Sequence, residues 1–337
     1  MVASHGGRLN QAAREWGIPL DQWLDLSTGI NPWPWPVPEV PAQVWQRLPE
    51  DDDGLPAIAR RWAGAPESAG CLPVAGTQAA IQALPRLRKP GRIGVPEPAY
   101  TEHAEGWRAA GHEVVPFDSL PSGDELAGLD ALVWINPNNP TGETVTASRL
   151  LACHERLAAQ GGWLVVDEAF IDAEPGQSLV PEAGQPGLVV YRSLGKFFGL
   201  AGLRAGLVFG SPGLCGQLGE ALGPWSVSHP ARYLMQRALA DTEWQQATAE
   251  RLRADGRHLT GMLREAGLVP QGGTSLFVYC PHDRPRQVAD ALAEQAVLVR
   301  VFDSPPALRF GLPGPDTEWR HLARALKALS GRSGTSR

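Results

Sequence analysis

Lysine is nearly absent from this chain. Among its 30 basic residues only Lys89, Lys196 and Lys327 are lysines. Lys89 and Lys327 lie in polar, helix-like stretches where a solvated ammonium costs little. Lys196 instead sits in "SLGKFFGLAGLRAG", residues 193–206, among glycines and phenylalanines. Cysteine is scarce as well. Cys71, Cys153, Cys215 and Cys280 are scattered without the spacing of metal ligands, so no metal site and a reduced, cytoplasmic setting are expected. No apolar run approaches the roughly 18 residues that span a bilayer, and the opening "MVASHGGRLNQAAREWG" has no apolar h-region, so neither membrane insertion nor a secretory signal is expected. Surplus positive charge is missing too. The formal net charge is −6 and there is no basic run, which argues against a nucleic-acid partner.

What is present is the composition of a soluble globular protein, 43% hydrophobic and 20% charged, in 337 residues, a length that fits two domains. Twelve tryptophans serve mainly core and interface packing. Residues 1–40, rich in proline and tryptophan, read as an extended N-terminal arm with one short helix near 8–16. Residues 41–229 alternate apolar strands with helices: "RIGVP", "HEVVPF", "LDALVWINP", "GWLVVDEAF", "GLVVYRSLG" and "GLRAGLVFG" are β-runs, and "TASRLLACHERLAAQ" is an amphipathic helix. That alternation predicts an α/β large domain with a mostly parallel sheet. A helical run over 230–267 leads into a smaller α+β domain, 230–330, with strands at "SLFVYC", "VLVRVF" and "ALRFGLP" and a last helix near 316–329. Residues 331–337 are expected to be a disordered tail.

In an open α/β sheet ligands bind at the carboxyl ends of the strands, so the polar residues there are the ones to collect. Gly76 and Thr77 in "AGTQAAIQAL" open a helix, and free backbone N–H groups with the helix dipole make an anion site; a plain N-cap is the ordinary alternative. "WINPNNPTG" (134–142) puts asparagines directly after a strand, either as ligands or as turn formers. Asp167 in "WLVVDEAF" ends a buried strand, where it could salt-bridge a protonated ring nitrogen or simply be solvated. Lys196 has Ser193 and Arg204 close by in sequence. A phosphate-loop reading fails, because that pattern needs Gly at 190 and Ser or Thr after the lysine, where the chain has Val190 and Phe197. A partly desolvated lysine near other cations is instead suited to attack a carbonyl. One cofactor uses all of these groups. Pyridoxal 5′-phosphate has an aldehyde for Lys196, a phosphate for Gly76, Thr77, Ser193 and Arg204, a ring nitrogen for Asp167 and a ring hydroxyl for Asn139. Tyr100 in "PEPAYTEH" could stack on its ring.

The ordered set Gly-Thr, Tyr, "NPNNPTG", "DEAF", "SLGKFFGLAGLRAG", "ALRFGLP" resembles the aspartate-aminotransferase superfamily over nearly the whole chain, and most closely its histidinol-phosphate-aminotransferase branch. "HGG" at 5–7 and "DLSTGINP" at 25–32 are similar to the threonine-phosphate decarboxylases of cobalamin synthesis. The resemblance implies a homodimer and an aspartate-aminotransferase-like fold. It implies that Lys196 holds the cofactor covalently, with Asp167 and Tyr100 also catalytic and Gln78 among the cofactor contacts. Arg309 would take the carboxylate of a phosphorylated amino acid, and His5, Gly6, Asn31, Asn139 and Arg300 would be further substrate contacts. Phe170 stands where many relatives have a hydroxyl-bearing tyrosine, as in the decarboxylase branch, and Leu48 stands where many have a tyrosine that reaches the partner's cofactor. The site residues by themselves leave decarboxylation and transamination both open. The N-terminal likeness ranks decarboxylation of O-phospho-L-threonine first, a histidinol-phosphate or related aminotransferase second, and a non-catalytic cofactor-binding protein last.

Overall fold

A computed structural model describes residues 6–333. Its strands, in chain order, begin with β1 (Leu24–Leu26). Next come β2 (Gly70–Val74), β3 (Arg92–Pro96), β4 (Glu113–Phe117), β5 (Ala131–Ile135), β6 (Trp163–Asp167), β7 (Leu188–Ser193) and β8 (Gly206–Gly210), followed by β9 (Gly272–Thr274), β10 (Phe277–Pro281), β11 (Val297–Asp303) and β12 (Pro306–Gly311). The chain forms two compact units. The larger holds residues 34–139 and 144–247; of the described residues the smaller holds 6–33, 140–143 and 248–333.

In the larger unit β2 to β8 form one sheet in the order β2-β8-β7-β6-β5-β3-β4. β3 to β7 run parallel, and β8 is antiparallel to both β7 and β2. Strands β5, β7 and β8 are buried along their whole length. That is why they read as continuous apolar runs rather than alternating ones: helices cover both faces of such a sheet. Val133, Val165, Val189 and Val208 pack in one core cluster with Trp107 and Tyr191. Both edge strands contain a proline, Pro73 in β2 and Pro116 in β4. Proline cannot donate to a ladder, so it fits an edge; the interior strand β3 has Pro96 only as its last residue.

The reversal of β8 decides where the site lies. β2 is antiparallel to β8, which is antiparallel to β7, so β2 points the same way as the parallel set. The residues after β2, β5, β6 and β7 therefore collect at one edge. β8 starts at that edge, so the residues just before it join them.

In the smaller unit the order is β1-β11-β12-β10-β9, with β1 parallel to β11 and the other pairs antiparallel. The arm expectation is corrected here. Residues 9–16 do form a helix, but residues 24–26, read as part of an extended arm, pair with β11 as a strand, and residues up to 33 belong to this unit. The run 230–267 is two helices, His229–Ala240 and Thr242–Glu265. Asp241 breaks them: its Oδ1 accepts from the Trp244 amide at 3.1 Å and its Oδ2 from the Trp35 indole at 3.0 Å. Its carboxylate caps the second helix instead of continuing the first. The last helix extends through Ser333, past the start expected for a disordered tail. Residues 334–337 lie outside the described residues, as does His5. Among the described residues no helix is long and apolar enough to cross a membrane.

Candidate active site

The edge of the larger sheet carries nine of the residues singled out from sequence: Gly76, Thr77, Gln78, Tyr100, Asn139, Asp167, Ser193, Lys196 and Arg204. Gly76 precedes the helix Thr77–Ala83 with φ 76° and ψ 152°, a region essentially closed to residues with a side chain. A Cβ there would lie 2.6 Å from Arg204 Nη2, and one on Gly206 would lie 2.9 Å from the Thr77 amide nitrogen. Glycine at both positions lets a guanidinium and a helix start close on each other. Arg204 is held in the left-handed region at φ 55°, with Nη1 donating to the Ala201 carbonyl at 3.0 Å. A non-glycine residue in that conformation costs about 1–3 kcal/mol, and such strain gathers at functional sites. Ser193 is buried beside this cup, its hydroxyl accepting from the Gly195 amide at 3.2 Å. A fixed cation over backbone N–H groups makes an anion cup.

Asp167 is buried at the end of β6. Its Oδ1 accepts from the Ala169 amide at 3.0 Å and its Oδ2 is 2.8 Å from His103 Nε2. His103 lies nearly parallel to the Tyr191 ring and edge-on to Tyr100. Sequence reasoning missed His103. The signal was there: it is a histidine three residues after Tyr100 and four before the core residue Trp107, on the buried face of one helix. Tyr100 donates to Gln78 Oε1 at 3.1 Å, and Gln78 Nε2 donates to Glu102 at 2.6 Å. Burial, with Glu102 adding, pushes the Tyr100 hydroxyl up to about 12. At neutral pH it is therefore a hydrogen-bond donor and not a base. Gln78 is drawn into this chain and so orients Tyr100.

The asparagines divide their labour. Asn136 exchanges two hydrogen bonds with the Val145 backbone, and Asn138 Nδ2 donates to the Pro98 carbonyl at 2.9 Å. Both shape the turn, and Asn139 is half-buried beside them. Lys196 is half-buried, with Nζ 5.4 Å from the Phe170 ring centroid. Behind Asp167 and Ser193 their chain neighbours build a buried network. Arg192 pairs with Asp172 and lies 3.7 Å from Glu168, which accepts from Ser178 Oγ at 2.6 Å and the Leu179 amide at 2.7 Å. The Arg192 guanidinium stacks 4.4 Å from the Trp62 ring centroid. Burial pushes the Glu168 carboxyl up to about 7 despite the arginine.

The smaller unit holds the other candidates. Arg300 on β11 and Arg309 on β12 are direct cross-strand partners. Arg309 is buried and its Nη2 donates to the Ser27 carbonyl at 3.0 Å. Burial first, and Arg300 second, push Arg309 down to about 10; burial and Arg8 lower Arg300. Like charges opposite each other on a sheet are unfavourable. Asn31 is buried and its Oδ1 accepts from the Trp33 amide at 2.8 Å, closing a turn. Gly6 has a backbone reason to be glycine: a Cβ there would collide with the Ser27 carbonyl.

Residues 64–326 match the model of one family, aminotransferase class I and II. The chain belongs to that family. It is 49% identical over 325 residues to a threonine-phosphate decarboxylase of Pseudomonas aeruginosa, covering 96% of this chain and 97% of that protein. It is 42% identical to a threonine-phosphate decarboxylase of Sinorhizobium sp, covering 96% of this chain and 98% of that protein. The fold matches the histidinol-phosphate aminotransferase of Sinorhizobium meliloti, solved in complex with pyridoxal-5′-phosphate, with a TM-score of 0.80 over 98% of both chains at 19% identity. The aspartate-aminotransferase fold expected from sequence is thus observed. Pyridoxal 5′-phosphate fits the donor set of this family member: a cationic, N–H-lined cup for a phosphate, a buried carboxylate oriented by His103 for a ring nitrogen, and one lysine at the same edge for an aldehyde.

Proposed function

We propose that this chain decarboxylates O-phospho-L-threonine to 1-amino-2-propanol O-phosphate in cobalamin synthesis, with pyridoxal 5′-phosphate as cofactor. The observation that carries the reading is the near-full-length likeness to threonine-phosphate decarboxylases. The cross-strand pair Arg300 and Arg309 supports it. Two guanidinium groups about 5 Å apart at Cβ suit a short substrate with an anion at each end.

The cofactor, when bound, supplies an electron sink for the pair left at Cα as carbon dioxide departs. The residues do the rest. Gly76, Thr77, Ser193 and Arg204 hold the cofactor phosphate. Asp167, kept in place by His103 and the Ala169 amide, stabilises positive charge at the ring nitrogen. Arg309 takes the substrate carboxylate, and Arg300, with the arm residues His5, Gly6 and Asn31, takes its phosphate. Pinning both ends sets the rotation about Cα and so selects the bond to the carboxylate. Lys196 Nζ anchors the cofactor and returns a proton to Cα. A homodimer belongs to this reading, and Val37, Trp45, Leu48 and Trp225 are exposed apolar side chains open to test at such an interface. A cytoplasmic location completes the reading.

Labelled phosphothreonine, incubated without any 2-oxo acid, tests the reaction class. The expected result is carbon dioxide released over many turnovers. One turnover per site, resuming only on adding a 2-oxo acid, would make the protein an aminotransferase.

A further inference from the structure

Three arginine placements in the smaller unit are each unfavourable on their own. Arg309 is buried, and its cross-strand neighbour is Arg300. Arg8 stands at the N-terminus of the helix Leu9–Trp16, whose first turn carries no acidic residue. A cation there opposes the helix dipole. The three are linked through one residue, Ser27. Its carbonyl accepts from Arg309 Nη2 at 3.0 Å, and its hydroxyl accepts from the Gly7 amide at 2.8 Å. The Ser27 amide and hydroxyl both donate to Asp25 Oδ1, at 2.9 and 2.6 Å, which fixes the side chain. Gly6 lies against the same carbonyl. Since Leu26 pairs with Val299, the next residues along are Ser27 and Arg300. The segment that delivers Arg8 is therefore tied to the strands that carry the arginine pair.

We propose that Arg8 is a third guanidinium of the substrate-phosphate subsite, beside Arg300, and sets the preference for a phosphorylated over an unphosphorylated substrate. This rests on the decarboxylase reading above. A phosphate dianion complements the positive end of the helix dipole and sits favourably between like-charged guanidinium groups. Its three terminal oxygens can take donors from two forks, which one carboxylate cannot do as well. Beside this backbone tie, Arg8 is the second cause, after burial, that lowers the proton affinity of Arg300. Ser27 is a positioning residue in this arrangement and Arg8 the ligand.

The experiment uses cofactor-loaded enzyme, so that the cofactor-phosphate cup is already filled. Inorganic phosphate is titrated calorimetrically into wild type, Arg8→Gln, Arg8→Lys and Arg14→Gln, and KM and kcat are measured with phosphothreonine. Arg14 is a further arginine on the same helix and controls for general charge. Arg8→Gln should weaken phosphate binding roughly tenfold, as losing one charge-assisted contact does. KM for phosphothreonine should rise by the same order while kcat moves less than about threefold. Arg8→Lys should recover part of the loss, and Arg14→Gln should stay within about twofold of wild type. Phosphate affinity and KM unchanged in Arg8→Gln would overturn the assignment, as would an equal effect of Arg14→Gln, or a loss confined to kcat. Should wild type release no carbon dioxide from phosphothreonine, the decarboxylase reading falls, and the phosphate titration still decides whether Arg8 belongs to an anion subsite.

Discussion

The two units handle buried charge in opposite ways. In the larger one, buried charges meet partners of opposite sign or tendency: Asp167 with His103, Arg192 with Asp172 and Glu168, and Arg232 with Asp53 through two 2.8 Å bonds. In the smaller one, buried Arg309 faces Arg300 across a ladder. A charge compensated inside the fold holds its geometry before any ligand arrives. A charge set against its like makes binding of an anion worth more. The first arrangement suits a cofactor that stays through every cycle, and the second suits a substrate that must come and go.

The comparison can be tested from its strongest element downward. Lys196→Ala should lower turnover roughly 10⁴-fold or more, since it removes both the covalent anchor and the proton carrier. Borohydride treatment followed by peptide mass analysis should then find no cofactor on residues 193–206, while wild type carries it at Lys196. Asp167→Asn should bind cofactor yet lose about 3 kcal/mol or more of transition-state stabilisation, because an amide cannot hold positive charge at the ring nitrogen. His103→Phe should cost less, about tenfold in kcat, as the carboxylate loses only its orientation. Equal effects from both would make His103 a catalytic residue in its own right.

Arg309→Ala should raise KM roughly tenfold to a hundredfold for phosphothreonine and threonine alike. Arg300→Ala should harm phosphothreonine at least tenfold more than threonine. Equal losses would dissolve the division into carboxylate and phosphate ends. Gly76→Ala should destabilise the fold by about 1–3 kcal/mol through its backbone conformation, and the collision with Arg204 should weaken cofactor binding, read as a higher Kd by fluorescence.

The smallest effect concerns Glu168. Its carboxyl is raised in the folded protein to about 7, against 4.5 as its ordinary value. Between those pH values the native state binds more protons than the unfolded one, so this group's contribution to stability falls as pH rises from about 4.5 through 7. Glu168→Gln stays neutral throughout, so its Tm relative to wild type should climb from pH 5 to pH 8. A flat or falling difference would mean that Arg192 keeps Glu168 ionised.

Much of the larger unit was legible because its central strands are buried on both faces and announce themselves as apolar runs. The Lys196 neighbourhood was legible because one lysine stood in apolar surroundings. β1 was not: three residues, one of them Asp25, carry too little periodicity, and their strand character comes only from pairing with β11. The break at Asp241 was missed because its side chain caps through contacts with Trp35 and Trp244. Asn136 and Asn138 could not be separated from Asn139 by sequence, since all three suit a turn and only the partners differ. His103 could be placed on the buried face of its helix by spacing, but its partner Asp167 comes from the packing of that helix against β6.

The prolines at both margins of the seven-stranded sheet bear on the protein's behaviour at high concentration. Pro73 and Pro116 each remove one ladder donor from the outermost strands, so a second chain cannot extend the sheet in unbroken register at either side. Contact between copies is thereby steered away from open-ended strand addition, which grows without limit, toward surfaces that close on themselves. During refolding, when the helices have yet to cover the sheet, those two residues make open-ended strand addition less favourable.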